Sequence, residues 1–341
     1  MRTLVTGHQG YIGATLCPIL SNAGMEVVGL DTGYFEECVF YGSPANPRNI
    51  KKDIRDVAPE DLEGIDGIVH LAALSNDPLG DLKNGWTEDI NHHGTMRLAE
   101  MAKTAGVKRF VYASSCSMYG TSGIEGAVDE SAPLNPLTSY AVSKVRCEEG
   151  LSRLADDTFS PAYMRNATAF GLSERVRLDI VVNNLTAWAV TTKKIRIMSD
   201  GSPWRPLVHI EDISKAALAL LEAPREKMHD QAFNIGLNSE NFRVREIAEI
   251  VADVVPGCEL EITGEAGADQ RSYRVSFDKF DTTFPDANMG RTVRSGVEEL
   301  YKAYTSEKMS YADFDGPRYI RLKQLQKLLD EQNLDGDLRW A

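Results

Sequence analysis

The octapeptide Thr6-Gly7-His8-Gln9-Gly10-Tyr11-Ile12-Gly13 follows the apolar pair Leu4-Val5 directly and precedes a helical pattern. Gly7 can adopt the backbone angles of a sharp strand-to-helix turn, Gly10 leaves no side chain between main chain and phosphate, and Gly13 lets helix and strand pack closely. Free N–H groups and the positive end of the helix dipole would face the anion. The segment predicts a dinucleotide-binding turn formed by Gly7, Gln9, Gly10, Tyr11, Ile12 and Gly13. A tight turn without a ligand would use the same glycines.

The next apolar run, Glu26-Val27-Val28-Gly29-Leu30, predicts a buried strand that ends at Asp31. Asp31 follows the glycines by about 20 residues, as a dinucleotide-binding βαβ unit requires. Its carboxylate can accept hydrogen bonds from both ribose hydroxyls and would repel the 2′-phosphate of NADP, and Thr32 and Gly33 offer no cation to offset that repulsion. The sequence therefore favours NAD over NADP. The alternative is a solvated Asp that caps a loop.

The composition limits the possible partners. The chain has 341 residues, of which 43% are hydrophobic, and a net charge of −13. This apolar content suffices for one large or two coupled domains, and the charge argues against a nucleic-acid-binding surface. No apolar run approaches ~18 residues and no signal-peptide pattern precedes the first strand, so we expect a soluble cytoplasmic protein with no membrane partner. Five cysteines without paired spacing predict neither a zinc site nor disulfides, and no metal is expected.

Apolar runs alternate with amphipathic helices in the first half of the chain, which predicts an α/β fold with a Rossmann-type doubly wound parallel sheet. We place an NAD-binding domain at residues 1–171, and mainly a smaller, partly interleaved substrate lobe with a C-terminal helical tail at 172–341. Segments near 207–236 again resemble helix and strand, and we expect them to return to the sheet. The apolar spacing of residues 318–340 favours packing over a partner site.

Candidate catalytic residues follow another predicted strand. Ser115 lies where that strand ends, which is the edge at which open α/β sheets bind ligands. Tyr140 and Lys144 are one helical turn apart on the same face. A phenol titrates near ~10 in water, but an adjacent ammonium and a positive nicotinamide ring would stabilise its phenolate. We therefore expect Tyr140 to accept a proton from a substrate hydroxyl, Ser115 to hydrogen-bond the same oxygen, and Lys144 to tune Tyr140 and hold the nicotinamide ribose.

With these motifs, the chain resembles the extended short-chain dehydrogenases/reductases of the NAD-dependent nucleotide-sugar epimerase/dehydratase family over nearly its whole length. The resemblance implies that Asp53 and Ile54 contact adenine and that Leu71, Ala72 and Ala73, at the end of the His70 strand, lie along the cofactor. On their own, Asp53 would more often be a solvated turn residue and His70 a core histidine.

The resemblance also implies a substrate-binding set. Asn184 and Leu185 match an Asn-Leu pair that meets the substrate diphosphate, and Arg205 matches an arginine that grips a phosphate. Arg271, preferred to Arg274, fits the place of a second phosphate-binding cation. A loop arginine is otherwise usually solvated. Thr168 stands where galactose-type 4-epimerases carry Asn, so this position bears on sugar specificity.

Two positions depart from the pattern of the family's dehydratases, which place Asp-Glu directly after the catalytic Ser or Thr. Here Cys116 and Ser117 follow Ser115, which disfavours 4,6-dehydration. Cys116, as a candidate acid, and Ser117 are included in the candidate catalytic set, and the alternative for Cys116 is a small buried hydrophobe. Glu125 or Glu130 could supply a carboxylate by swinging in from a loop.

We therefore expect hydride transfer from a ring carbon, C4, of a nucleotide-sugar to NAD through a keto intermediate. An epimerase would return the hydride to the other face, whereas a dehydrogenase, ketoreductase or atypical dehydratase would use the same residues. A non-catalytic NAD-sensing protein is a third hypothesis, against which the intact catalytic set argues. In relatives the helices beginning near Trp86 and Tyr140 pair across a two-fold axis, and this implies a homodimer. Apolar contacts would come from Met96, Ala99, Met101 and Ala102.

Overall fold

The computed structural model describes residues 1–44, 47–75, 84–121, 126–264 and 272–341. The strands in these residues are β1 (Arg2–Thr6), β2 (Glu26–Asp31), β3 (Arg48–Lys51), β4 (Gly67–His70), β5 (Arg109–Ser115), β6 (Ala127–Val128), β7 (Ser160–Asn166), β8 (Thr168–Phe170), β9 (Lys194–Ile197), β10 (Trp204–His209), β11 (Gln231–Ile235), β12 (Asn241–Arg243), β13 (Glu259–Ile262) and β14 (Arg274–Val275). The α-helices are α1 (Tyr11–Asn22), α2 (Asn84–Thr87), α3 (Gly94–Thr104), α4 (Ser139–Leu154), α5 (Val181–Thr192), α6 (Ile210–Glu222), α7 (Arg225–Met228), α8 (Val244–Val254), α9 (Asp278–Thr283), α10 (Val293–Ser306), α11 (Tyr311–Asp315) and α12 (Arg321–Asp330). A π-helical segment, Glu88–His93, joins α2 to α3, and short 3-10 turns cover Ile54–Asp56, Pro59–Leu62, Cys116–Tyr119, Asn238–Glu240 and Pro285–Ala287.

A seven-stranded sheet in the order β3-β2-β1-β4-β5-β7-β11 organises the molecule, and its strand pairs are parallel. The order reverses between β1 and β4, and ligands of open α/β sheets bind at such a switch point, beyond the carboxyl ends of the strands. The doubly wound fold predicted from the sequence is confirmed. Strand β11 lies within residues 207–236 and extends this sheet beside β7.

Helices cover both faces of the sheet. On one face α1 and α6 bury Leu16, Leu20 and Leu220 against strand residues such as Val111. On the other face α3, α4 and α12 bury side chains such as Leu98, Leu151 and Leu325. Because both faces are covered, the central strands are apolar along almost their whole length. Helix α12, near the C-terminus, thus packs on the NAD-binding half of the molecule and not on the smaller lobe.

The smaller lobe has its own apolar cluster. Helices α5, α8 and α10 contribute buried residues such as Val182, Val251 and Leu300. Its three-stranded sheet, in the order β12-β10-β8, begins with β8 immediately after the large sheet's β7. The lobe is therefore continuous with the carboxyl ends of the large sheet. The boundary between residues 171 and 172 stays a prediction.

Two residues expected at a dimer contact lie inside the single chain. Ala99 and Ala102 are fully buried in the cluster that joins α3 to α4 and the sheet, so they cannot touch a second copy. Met96 and Met101 keep partial exposure. The prediction was wrong for the two alanines because α3 turns its small side chains toward α4, where close helix packing needs them.

Within the described residues, no helix combines the length and the apolar character needed to cross a bilayer. The cytoplasmic location expected from the sequence stays a prediction.

Candidate active site

The glycine turn leaves the start of α1 open. Gly7 has φ = +74°, and a Cβ there would lie 2.9 Å from the Ala72 nitrogen. A Cβ on Gly13 would lie 2.4 Å from the Gly7 carbonyl oxygen, so helix and strand pack too closely for any side chain. Gly10 is the N-cap of α1, and no side chain caps this helix. The N–H groups of the first turn are therefore available to an anion.

The turn lies beside a cavity of about 170 Å³, which we call the first cavity. Nearly all of the residues predicted to bind the adenosine half of the cofactor line this cavity. Its lining includes Gly7, Gly10, Tyr11, Ile12, Gly13, Asp31, Asp53, Ile54, Leu71, Ala72 and Ala73. Gln9 belongs to the same turn, and its main-chain N–H donates to Asp31 Oδ2 (3.0 Å). The open helix start, the carboxylate at the end of β2 and the apolar wall fit a dinucleotide.

Asp31 is held by the main chain at the rim of this cavity. Besides Gln9, the Gly33 N–H donates to its Oδ1 (2.8 Å). One cation that the sequence did not reveal, Lys52, also lines the cavity, but it forms a 2.6 Å ion pair with Asp61. Lys52 is therefore already paired with a carboxylate, as expected for a site that binds NAD and has no 2′-phosphate to hold.

Replacing Asp31 by Ala should shrink the preference for NAD over NADP by about tenfold or more, because the variant loses a charged acceptor for the ribose hydroxyls and the repulsion of the 2′-phosphate. Titration calorimetry with both nucleotides measures the ratio. Asp157→Ala, which removes an equal charge from a fully exposed site, is the control. Equal affinities of the parent protein for NAD and NADP would contradict the assignment.

Asp53 is a buried, paired carboxylate and not a solvated turn residue. Its side chain is 10% exposed, and it accepts from the Arg55 main-chain N–H and guanidinium, both at 2.8 Å. Burial opposes ionisation, but the bonds from Arg55 outweigh it and lower the pKa of Asp53. His70 is a core histidine, as the alternative interpretation had it. Its ring nitrogens bond Thr6 and Thr95, and burial lowers its pKa to about 3.

A second cavity of about 370 Å³ adjoins the first and contains the three candidate catalytic residues, Ser115, Tyr140 and Lys144. Tyr140 and Lys144 lie on α4, whose N-cap Thr138 accepts from the Ala141 N–H (3.2 Å). The Lys144 ammonium lies 5.5 Å from the centre of the Tyr140 ring and donates to the Ala113 carbonyl (2.6 Å). Burial lowers the pKa of Lys144 to about 8 against the opposing effect of Cys147 and Glu148. The structure brings the three residues together, and their catalytic roles stay a prediction.

Cys116 and Ser117 point in different directions. The Cys116 thiol is 1% exposed and contacts the Arg165 carbonyl (3.0 Å), and burial raises its pKa above the ordinary range. It is not among the described residues that line either cavity, as a small buried hydrophobe would be placed, and its catalytic role stays a prediction. Ser117 lines the second cavity, and its buried hydroxyl has no hydrogen-bond partner among the described residues.

The structure places the predicted substrate-binding residues in different locations. Thr168 and Arg205 line the second cavity. Asn184 and Leu185 do not: the Asn184 amide donates to the Leu178 carbonyl (2.7 Å), and Leu185 is buried in the core of the smaller lobe. In this structure α5 directs both side chains toward its own lobe, and their contact with substrate stays a prediction. Arg271 lies outside the described residues.

Three further residues of the second cavity were not selected from the sequence. Asn166 pairs with Ser115 in the β5–β7 register, and its buried Oδ1 has no partner among the described residues. Its position at the end of β7 is the sequence feature that could have identified it as a candidate site residue. Arg177 and Asp179 form a forked ion pair (2.9 and 3.0 Å) that lines the second cavity, and Arg177 also donates to Ser75 (2.8 Å). Unpaired buried polar atoms in such a cavity indicate where a polyhydroxylated ligand would bond.

Comparison with known proteins gives a consistent result. The model of the NAD dependent epimerase/dehydratase family matches residues 3–236. An uncharacterised UDP-glucose epimerase, YtcB, of Bacillus subtilis is 28% identical over 281 residues, with 74% of this chain and 82% of the relative covered. The UDP-glucose 4-epimerase of Mycolicibacterium smegmatis is 30% identical over 264 residues, with 75% and 83% covered.

Solved structures share the fold. MoeE5 in complex with UDP-glucuronic acid and NAD is 25% identical with a TM-score of 0.77, covering 90% of this chain and 99% of MoeE5. TunA, an NAD-dependent NDP-hexosamine 5,6-dehydratase of tunicamycin biosynthesis, is 22% identical with a TM-score of 0.79, covering 89% and 98%. At the latter identity the likeness concerns the fold alone.

Proposed function

This chain belongs to the NAD dependent epimerase/dehydratase family, and we propose that it is an enzyme that inverts C4 of a uridine-diphosphate sugar. The observation that carries the proposal is the second cavity, where Ser115, Tyr140 and Lys144 meet and no acid–base pair follows Ser115. The names of the relatives, UDP-glucose epimerase and UDP-glucose 4-epimerase, support the choice of nucleotide and ring carbon.

In this proposal each of the candidate catalytic residues has a separate role. Tyr140 takes the proton of the C4 hydroxyl, Ser115 donates a hydrogen bond to the same oxygen, and Lys144 stabilises the Tyr140 phenolate. NAD, held by the glycine turn and Asp31 in the first cavity, would supply the hydride acceptor and donor for both half-reactions. Arg205, on the lobe side of the cavity, binds a phosphate of the substrate. The unpartnered Asn166 carbonyl oxygen accepts from a sugar hydroxyl.

The rival outcome within the family, loss of water, lacks a matched acid among the described residues of the second cavity. Among the described residues that line the second cavity, Asp179 is the only carboxylate. Burial opposes its ionisation, but the Arg177 guanidinium outweighs burial and lowers its pKa, so it cannot donate a proton at neutral pH. The Glu130 carboxylate accepts from the Asn234 N–H (2.7 Å) and does not line the cavity, whereas Glu125 lies outside the described residues.

Incubation of the enzyme with NAD and UDP-glucose or UDP-glucuronic acid in deuterated water tests the proposal. We expect inversion at C4 without solvent deuterium in the sugar, because hydride leaves and returns within the cavity. NMR and mass spectrometry of the product measure both signatures. Deuterium at C5 together with loss of the C6 oxygen would make the enzyme a dehydratase, and a stable keto product with reduced nicotinamide would make it a net dehydrogenase.

We also propose that the enzyme is a cytoplasmic homodimer. All five cysteines are unpaired, as a reducing compartment allows. The half-buried Met96, Val142 and Val145 on α3 and α4 offer apolar contact area in place of the buried alanines. A monomer mass in light scattering at micromolar concentration would contradict the dimer.

A further inference from the structure

The first cavity receives one side chain from the C-terminal end of the chain. Arg321 is the first residue of α12, 85 positions (321 − 236) beyond the end of the family match. It lines the first cavity and is 3% exposed. Leu325 and Leu328 of the same helix are buried in the core of the NAD-binding half. The position of the guanidinium is therefore set by a rigid element.

Arg321 differs from Arg177, the other described arginine that lines the first cavity, in having an unused donor. One of its amino groups donates to the Arg175 carbonyl (3.0 Å), and its guanidinium stacks 4.4 Å from the centre of the Phe35 ring. The other amino group, Nη1, is buried without a partner among the described residues, and no described carboxylate pairs with the side chain. Arg177, by contrast, is fully engaged by Asp179 and Ser75.

The electrostatics of this position call for an anion. Burial and the nearby Arg177 guanidinium lower the pKa of Arg321 to about 10, so it remains charged at neutral pH. The Asp179 carboxylate raises that pKa without forming an ion pair with Arg321, and an anionic ligand in contact with the guanidinium would offset more of the cost of burying it.

The location of Arg321 indicates which anion would bind there. Phe35 lies on the adenosine side of the cavity with Asp31, whereas Arg177 lines both cavities and so marks the passage to Tyr140. Arg321 stacks on Phe35 and is close enough to Arg177 for the two charges to interact, so it lies near both. The uncapped start of α1 lines the same cavity. A diphosphate is the group that joins the two halves of NAD.

We propose that Arg321 binds the diphosphate of NAD, so that the C-terminal helix α12 completes a cofactor site which the glycine turn begins. The guanidinium fork would donate to phosphate oxygens while the α1 N–H groups bond the same group. The proposal concerns the cofactor and is independent of the sugar that the enzyme converts.

Titration calorimetry on the full chain, freed of bound nucleotide, tests the proposal with NAD, ADP and adenosine as probes. Arg321→Met should lower the affinity for NAD and ADP by about 10- to 100-fold and leave the affinity for adenosine within about twofold of the parent. Only NAD and ADP carry the diphosphate. Arg321→Lys, which keeps the charge without the fork, should fall between parent and Met variant. Lys323→Met, on the exposed face of α12, should change none of the three affinities.

Several outcomes would overturn the proposal. Unchanged ADP affinity in Arg321→Met would remove Arg321 from the site. Equal losses of affinity for ADP and adenosine would indicate that Arg321 has a packing role. If the Met variant does not fold, the ratio of ADP to adenosine affinity in Arg321→Lys decides: a ratio equal to that of the parent overturns the proposal, and a lower ratio supports it.

Discussion

Tyr140→Phe is expected to reduce turnover by roughly 10²- to 10⁴-fold while NAD affinity stays within about twofold. The phenyl ring keeps its place on α4, 5.5 Å from the Lys144 ammonium in the parent, so the helix and the cofactor site are preserved. What is lost is the oxygen that accepts the substrate proton. Turnover with UDP-glucose and calorimetric NAD binding measure the two effects.

A matched control for this variant lies on the neighbouring strand. The Lys144 ammonium also lies 4.6 Å from the Tyr112 ring, but Tyr112 is not among the described residues that line the second cavity. Tyr112→Phe removes the same atom from a buried side chain outside the cavity, and turnover should change by about twofold or less. Near-normal turnover of Tyr140→Phe would remove Tyr140 from the role of base.

Arg165→Met is expected to destabilise the fold by about 3–5 kcal/mol, because it leaves the Glu148 carboxylate buried without a counter-ion. The two side chains are 9% and 8% exposed and form a 2.7 Å ion pair, and Ser114 donates to the same carboxylate. Glu148 lies one turn beyond Lys144 on α4, and Arg165 precedes Asn166 on β7. The pair therefore joins two elements that carry candidate active-site residues.

The midpoint of urea unfolding measures this effect. Arg165→Met combined with Glu148→Gln should recover part of the loss, because a neutral amide needs no counter-ion. Arg294→Met, which breaks an exposed ion pair with Asp253, should cost about 1 kcal/mol or less. An Arg165→Met variant no less stable than Arg294→Met would show that the buried pair is not needed.

Residues at strand ends were predictable to a limited degree. Ser115 was selected because it ends a strand, and the same rule applies to Asn166, its register partner on β7. Cys116 follows Ser115 directly, and its side chain enters the core while those of Ser115 and Ser117 line the cavity. Ser115 ends β5 and Cys116 begins a 3-10 turn, in which successive side chains point about 120° apart, so adjacency to a catalytic residue is a poor guide to a shared role.

Asn184 and Leu185 show a second limit. The resemblance located them along the chain, but the direction of a helical side chain depends on which face the helix packs, and successive residues point about 100° apart. The packing of α5 within its own lobe directs the Asn184 amide to the Leu178 carbonyl. No pattern within the segment specifies that neighbour.

Spacing within single elements was enough to predict the Rossmann fold, the glycine turn, the position of Asp31 and the proximity of Tyr140 to Lys144, because each depends on residues that are neighbours in the chain or that end one strand. The bond from the Trp340 indole to the Thr32 carbonyl (2.6 Å) joins residues 308 positions apart, and the stacking of Arg321 on Phe35 is also remote in sequence. Such contacts exist only once α12 has packed against the sheet, since burial of Leu325 and Leu328 is what brings the C-terminal residues to the cofactor site. Arg321 was therefore visible only in the folded molecule, because no local pattern records which distant surface a helix will cover.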